Sequence, residues 1–464
     1  MEKLQLRQIA EAVGAVCPED RVIESVVTDT SQVTEGSLFV AIKGERFDGH
    51  DFIPKAVENG AAAVLIEHET PDPEAPCLTV PSTREAFLDL AAWYRRLFHT
   101  FVVGVTGSVG KTSTKDMICA VLSRKGKTLK TQGNLNNGIG LPKTILRLDG
   151  SFQNAVIEMG MSHKGEISRL TRVAQPSAGV ITNIGVCHIE NLGSQENILS
   201  AKLEITEGMS GNAPLILNAD DPLLADVCNR IDRDILYYGI DSGTAEVRAT
   251  EIDEADGATR FNVRYYGRTA SVRIPVIGRH NVYNALAAFS VGLTAGMAPE
   301  DIVAGLRDYE PSAMRQDIVK KDGITVIIDC YNASPDSMKA SLTVLAGLKS
   351  PRRIAVLGDM LELGEYARLM HDQLGQYAAQ MQVQKLFCFG MMADIVAEAA
   401  IKKGIRADNV YVSLDTRDAQ AMADMILTAL RPGDILLVKA SRAVQAERVI
   451  ECMKKRKMRR GSRK

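Results

Sequence analysis

No apolar run in this sequence approaches the roughly 20 residues that a bilayer-crossing helix needs. The opening Met1-Glu2-Lys3-Leu4-Gln5 also lacks the apolar core of a secretory signal, which points to a cytosolic protein. Charge of one sign is missing too: a formal net charge of −2 over 464 residues gives no bulk attraction to nucleic acid. The eight cysteines (17, 77, 119, 187, 228, 330, 388 and 452) include no Cys-x-x-Cys pair. Several lie in apolar segments, as Cys388 does in Leu386-Phe387-Cys388-Phe389, which fits reduced core thiols. There is no short-period repeat and no low-complexity tract. The one local charge excess, Lys454-Lys455-Arg456-Lys457 with Arg459 and Arg460, reads as a solvated helix end rather than a lipid or RNA contact.

What is present is an ordinary globular composition, 45% hydrophobic and 24% charged, with room for two to four domains. The first eighty or so residues mix short strands (Ser37–Ala41, Ala62–Ile66) with helices, and a breaker-rich stretch from Pro71 to Pro81 is expected to close that unit. From Phe101 onward, apolar strands alternate with helical stretches, at 101–105, 154–157, 178–181 and 214–217. Such alternation predicts a parallel sheet covered on both faces. An antiparallel hairpin is expected between Ala245 and Ile277, turning at Asp256-Gly257 and Gly267. Past Pro311, strands at 325–328, 353–357, 385–388, 409–412 and 435–438 predict a second doubly wound sheet. The fold class is therefore α/β in three domains. These are a small mixed α/β N-terminal domain (1–82), a central parallel-sheet domain (83–311) whose glycine loop, quoted next, makes it the expected P-loop ATPase domain, and a C-terminal Rossmann-like domain (312–464).

The strongest motif is Val105-Thr106-Gly107-Ser108-Val109-Gly110-Lys111-Thr112-Ser113, set between a strand and a helix. Glycines let backbone N–H groups curl toward phosphate oxygens, and the following helix presents its positive end. Lys111 is placed for the β- and γ-phosphates of ATP and the Thr112 hydroxyl for magnesium, with Gly107, Ser108, Gly110 and Ser113 completing the cradle. The strict G-x-x-x-x-G-K-[ST] pattern is not met, because Val105 occupies the first glycine position. The variant resembles the ATP loop of the Mur ligases and their folylpolyglutamate synthase relatives. That resemblance implies activation of a carboxylate as an acyl phosphate, which an amine then attacks.

Bringing two anions together requires cations beside the loop. Glu158, closing the strand 155–157, is the expected metal carboxylate. His188, in Thr182-Asn183-Ile184-Gly185-Val186-Cys187-His188, follows the next strand, and the family pattern makes it a metal ligand. Cys187 stands where the family has a small residue, which makes its thiol a candidate modification site. By the same resemblance Lys202 would be carbamylated and join the metal assembly (two Mg2+ ions), while Asn134 and Asn137 of the Gly-Asn-x-Asn-Asn segment would line the reaction centre. Asn281 and Asn284, one helical turn apart, match the family's adenine-contacting motif. Arg315 and Asp329 would reach ATP from the third domain.

Across the chain, the resemblance narrows to the branch that joins D-Ala-D-Ala to UDP-MurNAc-tripeptide, acting as a monomer. Its UDP-sugar contacts would fall on Asp29, Thr30, Phe47, Asp48 and His50. Its acceptor-side contacts would fall on Asn332 and Asp336 of Asp329–Met338, and on Asp359, Leu361 and Glu362 of Gly358–Gly364. Two departures stand out: Asp29-Thr30-Ser31 lacks the usual arginine, and Ala440 replaces the usual glycine in Lys439–Arg442. Another amide ligase of the same family, and a nucleotide-binding regulator without chemistry, stay open as alternatives. The absence of an Asn-Lys-x-Asp motif speaks against a GTPase-like switch.

Overall fold

The computed structural model describes residues 1–68 and 75–461, with side chains through residue 455. The basic tail beyond Lys455 therefore lies outside the described side chains.

The central sheet has nine strands. From one edge to the other they are Arg268–Ile274, Ala258–Tyr265, Val247–Ala255, Ile235–Gly239, Leu215–Asn218, Ala178–Ile181, Phe101–Thr106, Asn154–Glu158 and Thr128–Lys130. All neighbours from 247–255 to 128–130 pair in parallel, and the first three strands form an antiparallel meander. Apart from half-buried Phe101, the strands 101–106, 154–158 and 178–181 are buried throughout because helices cover both faces. The expected hairpin thus has three strands and extends the main sheet.

Chain order fixes where a ligand can sit. Strand 101–106 is laid down first, yet its two neighbours, 154–158 and 178–181, come later and lie on opposite sides of it. Loops leaving adjacent strands toward opposite faces open a crevice at the carboxyl edge. Register places Glu158 beside Val105 and Ile181 beside Thr106, so both flanking loops emerge level with the glycine loop.

The third domain carries six strands in the order Asp317–Lys321, Ile324–Ile328, Ile435–Lys439, Arg353–Gly358, Lys385–Phe389, Val410–Ser413. Only the first pair is antiparallel. Strand 317–321 was not expected: four of its five residues are exposed, so nothing in its sequence alternates like a half-buried strand.

The N-terminal unit holds four parallel strands, Ser25–Val27, Ser37–Val40, Ala61–Ile66 and Cys77–Thr79. Of the stretch expected to close this domain, residues 71–74 lie outside the described residues and Cys77–Thr79 forms the edge strand. Pro76 and Pro81 flank Cys77–Thr79 rather than interrupting it, and an edge position tolerates prolines. Helix Thr83–Arg95 then binds this unit to the central domain. The Tyr94 hydroxyl donates to the Leu148 carbonyl (2.7 Å), and buried Arg95 donates to the carbonyls of Ala174, Phe98 and Thr100. Apolar residues of both domains share one continuous core.

Candidate active site

The phosphate loop begins where strand 101–106 runs out. Gly107 has φ 144°, and a Cβ there would strike the Thr182 side chain, so only glycine lets the backbone pass. Gly110 then opens the helix Lys111–Ser123. Asn183, one residue beyond strand 178–181 and Thr182, clamps the loop: its Oδ1 accepts from Val109 N and its Nδ2 donates to Val109 O, both at 2.9 Å. Ser108 Oγ accepts from Gly185 N (2.9 Å). The loop is thus held open by the neighbouring strand's end. Lys111 Nζ folds back onto the carbonyls of Gly107 (2.7 Å) and Ser108 (3.2 Å).

On one flank, Glu158 is buried and receives Asn136 Nδ2 at 2.9 Å on Oε1. Its Oε2 has no hydrogen-bond partner, and only Lys115 Nζ comes near, at 3.6 Å. A buried, under-coordinated carboxylate oxygen beside a phosphate loop is suited to a hard cation. On the other flank stands His188, whose backbone is left-handed (φ 63°). Its Nδ1 approaches Glu362 Oε2 to 2.8 Å, off the line of an ideal hydrogen bond. That pair holds the Glu362 carboxyl below its usual range.

Lys202, on helix Gln195–Leu203, is 2% exposed, and among the described residues no hydrogen bond or ion pair reaches its amine. Burial, with the Lys111 charge adding to it, pulls its pKa down to about 7. Burial likewise pushes the neighbouring Cys187 thiol up, which quiets it as a nucleophile.

The third domain closes the space from above. Arg315 Nη2 donates to Thr112 Oγ1 at 2.9 Å, and the guanidinium lies 4.3 Å from the Tyr331 ring centroid, a cation–π seat. Asn281 Nδ2 donates to Gln316 Oε1 (2.8 Å), and Asn284 Nδ2 donates to Asn281 Oδ1 (3.2 Å), so the two amides do share one helix side. Asp329 is paired with Lys439 at 2.7 Å and accepts from Ser341 at 2.5 Å. That pairing follows from register, since Ile328 lies opposite Val438.

These groups enclose one cavity of about 600 Å³ between the central and third domains. Ser113, Asn134, Asn137 and Asn332 line it as well. Asn137 Oδ1 also accepts from the amides of Ile139 and Gly140, where the helix Gly140–Ile145 begins. Several expected contacts lie elsewhere. Asp336 sits against Gly185, and burial raises its carboxyl. Asp359 is buried with both carboxylate oxygens engaged by the amides of Met391 (2.7 Å) and Met392 (3.0 Å), and Leu361 is exposed. In the N-terminal domain, Asp29 binds Ser31 just before Thr30, and Asp48 binds His50, whose Nε2 accepts from Glu67 N. Phe47 is exposed beside Phe52. The methyl of Ala440 is absorbed: its backbone is not left-handed and its side chain packs against Gly358.

Family models match three successive segments: "Mur ligase family, catalytic domain" at residues 22–100, "Mur ligase middle domain" at 105–292, and "Mur ligase, glutamate ligase domain" at 314–442. This chain belongs to the Mur ligase family. Among its relatives is the UDP-N-acetylmuramoyl-tripeptide–D-alanyl-D-alanine ligase of Bacillus subtilis, 39% identical over 97% of this chain and 98% of that protein. Of solved structures, MurF from Acinetobacter baumannii is 31% identical with a TM-score of 0.91, covering 98% of this chain and 99% of that one. MurF from Thermotoga maritima in complex with ADP is 31% identical with a TM-score of 0.84, covering 94% and 98% respectively.

Some residues that line this cavity were not singled out from sequence. Asn183 and Asn136 were visible only as members of quoted segments. Lys439 and Asp329 each close a strand of the third sheet, and a charged residue ending a buried apolar run is the signal that marks Lys439.

Proposed function

We propose that this Mur ligase joins D-alanyl-D-alanine to UDP-N-acetylmuramoyl-tripeptide at the expense of ATP, through an acyl phosphate. The observation that carries this reading is the near full-length likeness to the Bacillus ligase, combined with the meeting of Lys111, Glu158, His188 and Lys202 around one interdomain cavity. A carboxylate oxygen of the tripeptide attacks the γ-phosphorus, and ADP leaves. The dipeptide amine then attacks the acyl carbon, inorganic phosphate departs, and the amine gives up a proton. Lys111 exchanges its two carbonyl contacts for phosphate oxygens, and Arg315 brings positive charge from the third domain. Asn134 and Asn137 are placed to donate to developing charge. The Asn281–Asn284 pair takes the adenine end, beside Gln316.

Magnesium fits the donors available here: the Thr112 hydroxyl, the free oxygen of Glu158 and a nitrogen of His188. Bound there, it would neutralise phosphate charge and lower the barrier to in-line transfer. Among the described residues no three acidic, His or Cys side chains form a ready-made metal cluster, in keeping with an ion that keeps waters and substrate oxygens. Lys202 fits carbamylation, because an amine with a pKa near 7 is partly neutral at physiological pH. Its lone pair would attack CO2, forming a C–N bond and releasing a proton, and so would place a carboxylate beside the metal. We assign the UDP end to the N-terminal domain, where exposed Phe47 and Phe52 offer ring faces to a base. We place the domain boundaries near residues 82 and 311 and take the active species to be the monomer.

The deciding experiment incubates the purified chain with ATP, Mg2+, D-Ala-D-Ala and UDP-MurNAc-tripeptide carrying lysine or diaminopimelate at its third position. Mass detection of the UDP-linked pentapeptide is expected. Phosphate release with a different amine, or none with any acceptor, would overturn the reading. Intact mass in bicarbonate buffer tests Lys202: no added carboxyl group, together with full activity in Lys202→Ala, would remove the carbamate.

A further inference from the structure

The segment Gly358–Gly364 is held with unusual completeness inside the third domain. The Asp359 carboxylate binds the amides of Met391 and Met392. Met360 N donates to His371 Nε2 (3.0 Å), and Leu361 N donates to Ser441 Oγ (3.1 Å). Three successive residues are pinned, and the fourth, Glu362, is turned outward in a left-handed conformation (φ 63°). A bulky residue adopts that backbone at a cost of about 1–3 kcal/mol, and such strain gathers where geometry serves a task. The next loop residues come so close to the central domain that a Cβ on Gly364 would lie 2.9 Å from Glu190 Cγ. Glu362 thus crosses the domain boundary to one partner, His188, itself left-handed, at 2.8 Å from Nδ1.

We propose that Glu362 is a positioning residue for His188, delivered by closure of the third domain, so that metal binding and closure strengthen each other. A carboxylate facing Nδ1 fixes the proton on that nitrogen and leaves Nε2 with the lone pair a cation needs. The ring is presented by the central domain, but its orientation is supplied by the third. The contact lies off the hydrogen-bond axis, and such contacts align once a ligand fills the site. By linkage, whatever factor closure gives to metal affinity, metal returns to closure. The inference rests on the proposed reading of His188 as a metal ligand.

The test measures Mn2+ binding to the whole chain by electron paramagnetic resonance, with a non-hydrolysable ATP analogue present and no acceptor. Glu362→Ala should weaken Mn2+ binding about 10–100-fold, the range for loss of a group that orients a ligand. Glu362→Gln, whose amide oxygen still accepts from Nδ1–H, should recover part of that loss. In a His188→Ala background, Glu362→Ala should add nothing further. Small-angle scattering should show Mn2+ compacting the wild type and not Glu362→Ala. Wild-type Mn2+ affinity in Glu362→Ala would overturn the proposal, and tighter binding would mean that Glu362 competes with the metal. If His188→Ala itself leaves Mn2+ binding unchanged, the metal assignment fails instead.

Discussion

A buried lysine on the cavity wall without a counter-charge is the sharpest single-residue statement in this molecule. Lys202 prefers to be neutral in the folded chain but is protonated up to pH 10.5 when unfolded. Between about pH 7 and 10.5 the unfolded state therefore binds more protons, so stability rises with pH across that window. Lys202→Met, in CO2-free buffer, should melt higher than wild type at pH 6, with the advantage fading toward pH 10. An unchanged difference across that range would show that the amine is solvated. Lys111→Ala should lose about 10²–10³-fold in kcat, as removal of one stabiliser of transition-state charge does, while its melting temperature stays put. Glu158 and Lys111 were legible in the sequence because each sits at a strand or loop end that pattern alone locates. Glu362 was legible as a site residue but not in its pairing with His188. That contact joins residues 174 positions apart on separate sheets, and no local spacing encodes it.

At the scale of elements, the phosphate loop depends on the strand beside it. Asn183→Ala strips both of its bonds to Val109; Val109 O keeps the Thr182 hydroxyl, so the part-buried Val109 N is the group left unpaired, at a cost of about 1–3 kcal/mol. Its melting point should fall by several degrees, and nucleotide affinity should fall with it. A loss of stability with unchanged affinity would show that the loop holds its shape alone. The long parallel strands were readable because both-sided burial leaves continuous apolar runs. Strand 317–321 and strand 77–79 were not, the first for its exposure and the second for its flanking prolines. Leu78 is fully buried in that second strand, so Leu78→Ala should cost about 2–5 kcal/mol and expose the N-terminal domain to proteolysis first.

Across the whole molecule, no domain owns the reaction centre. Thr112 belongs to the second domain and its partner Arg315 to the third, while His188 and Glu362 repeat that division on the far side. Arg315→Ala should raise the KM for ATP and enlarge the radius of gyration measured with nucleotide bound. An unchanged scattering profile would move the closing force to the Asn281–Gln316 contact.

The order in which the central strands are laid down has a consequence during synthesis. A ribosome releases the glycine loop well before residue 158, the clamp at residue 183 later still, and the third-domain groups Arg315, Gln316 and Asp329 after all of these. A half-made chain thus carries an ATP-binding signature with nothing to fire it.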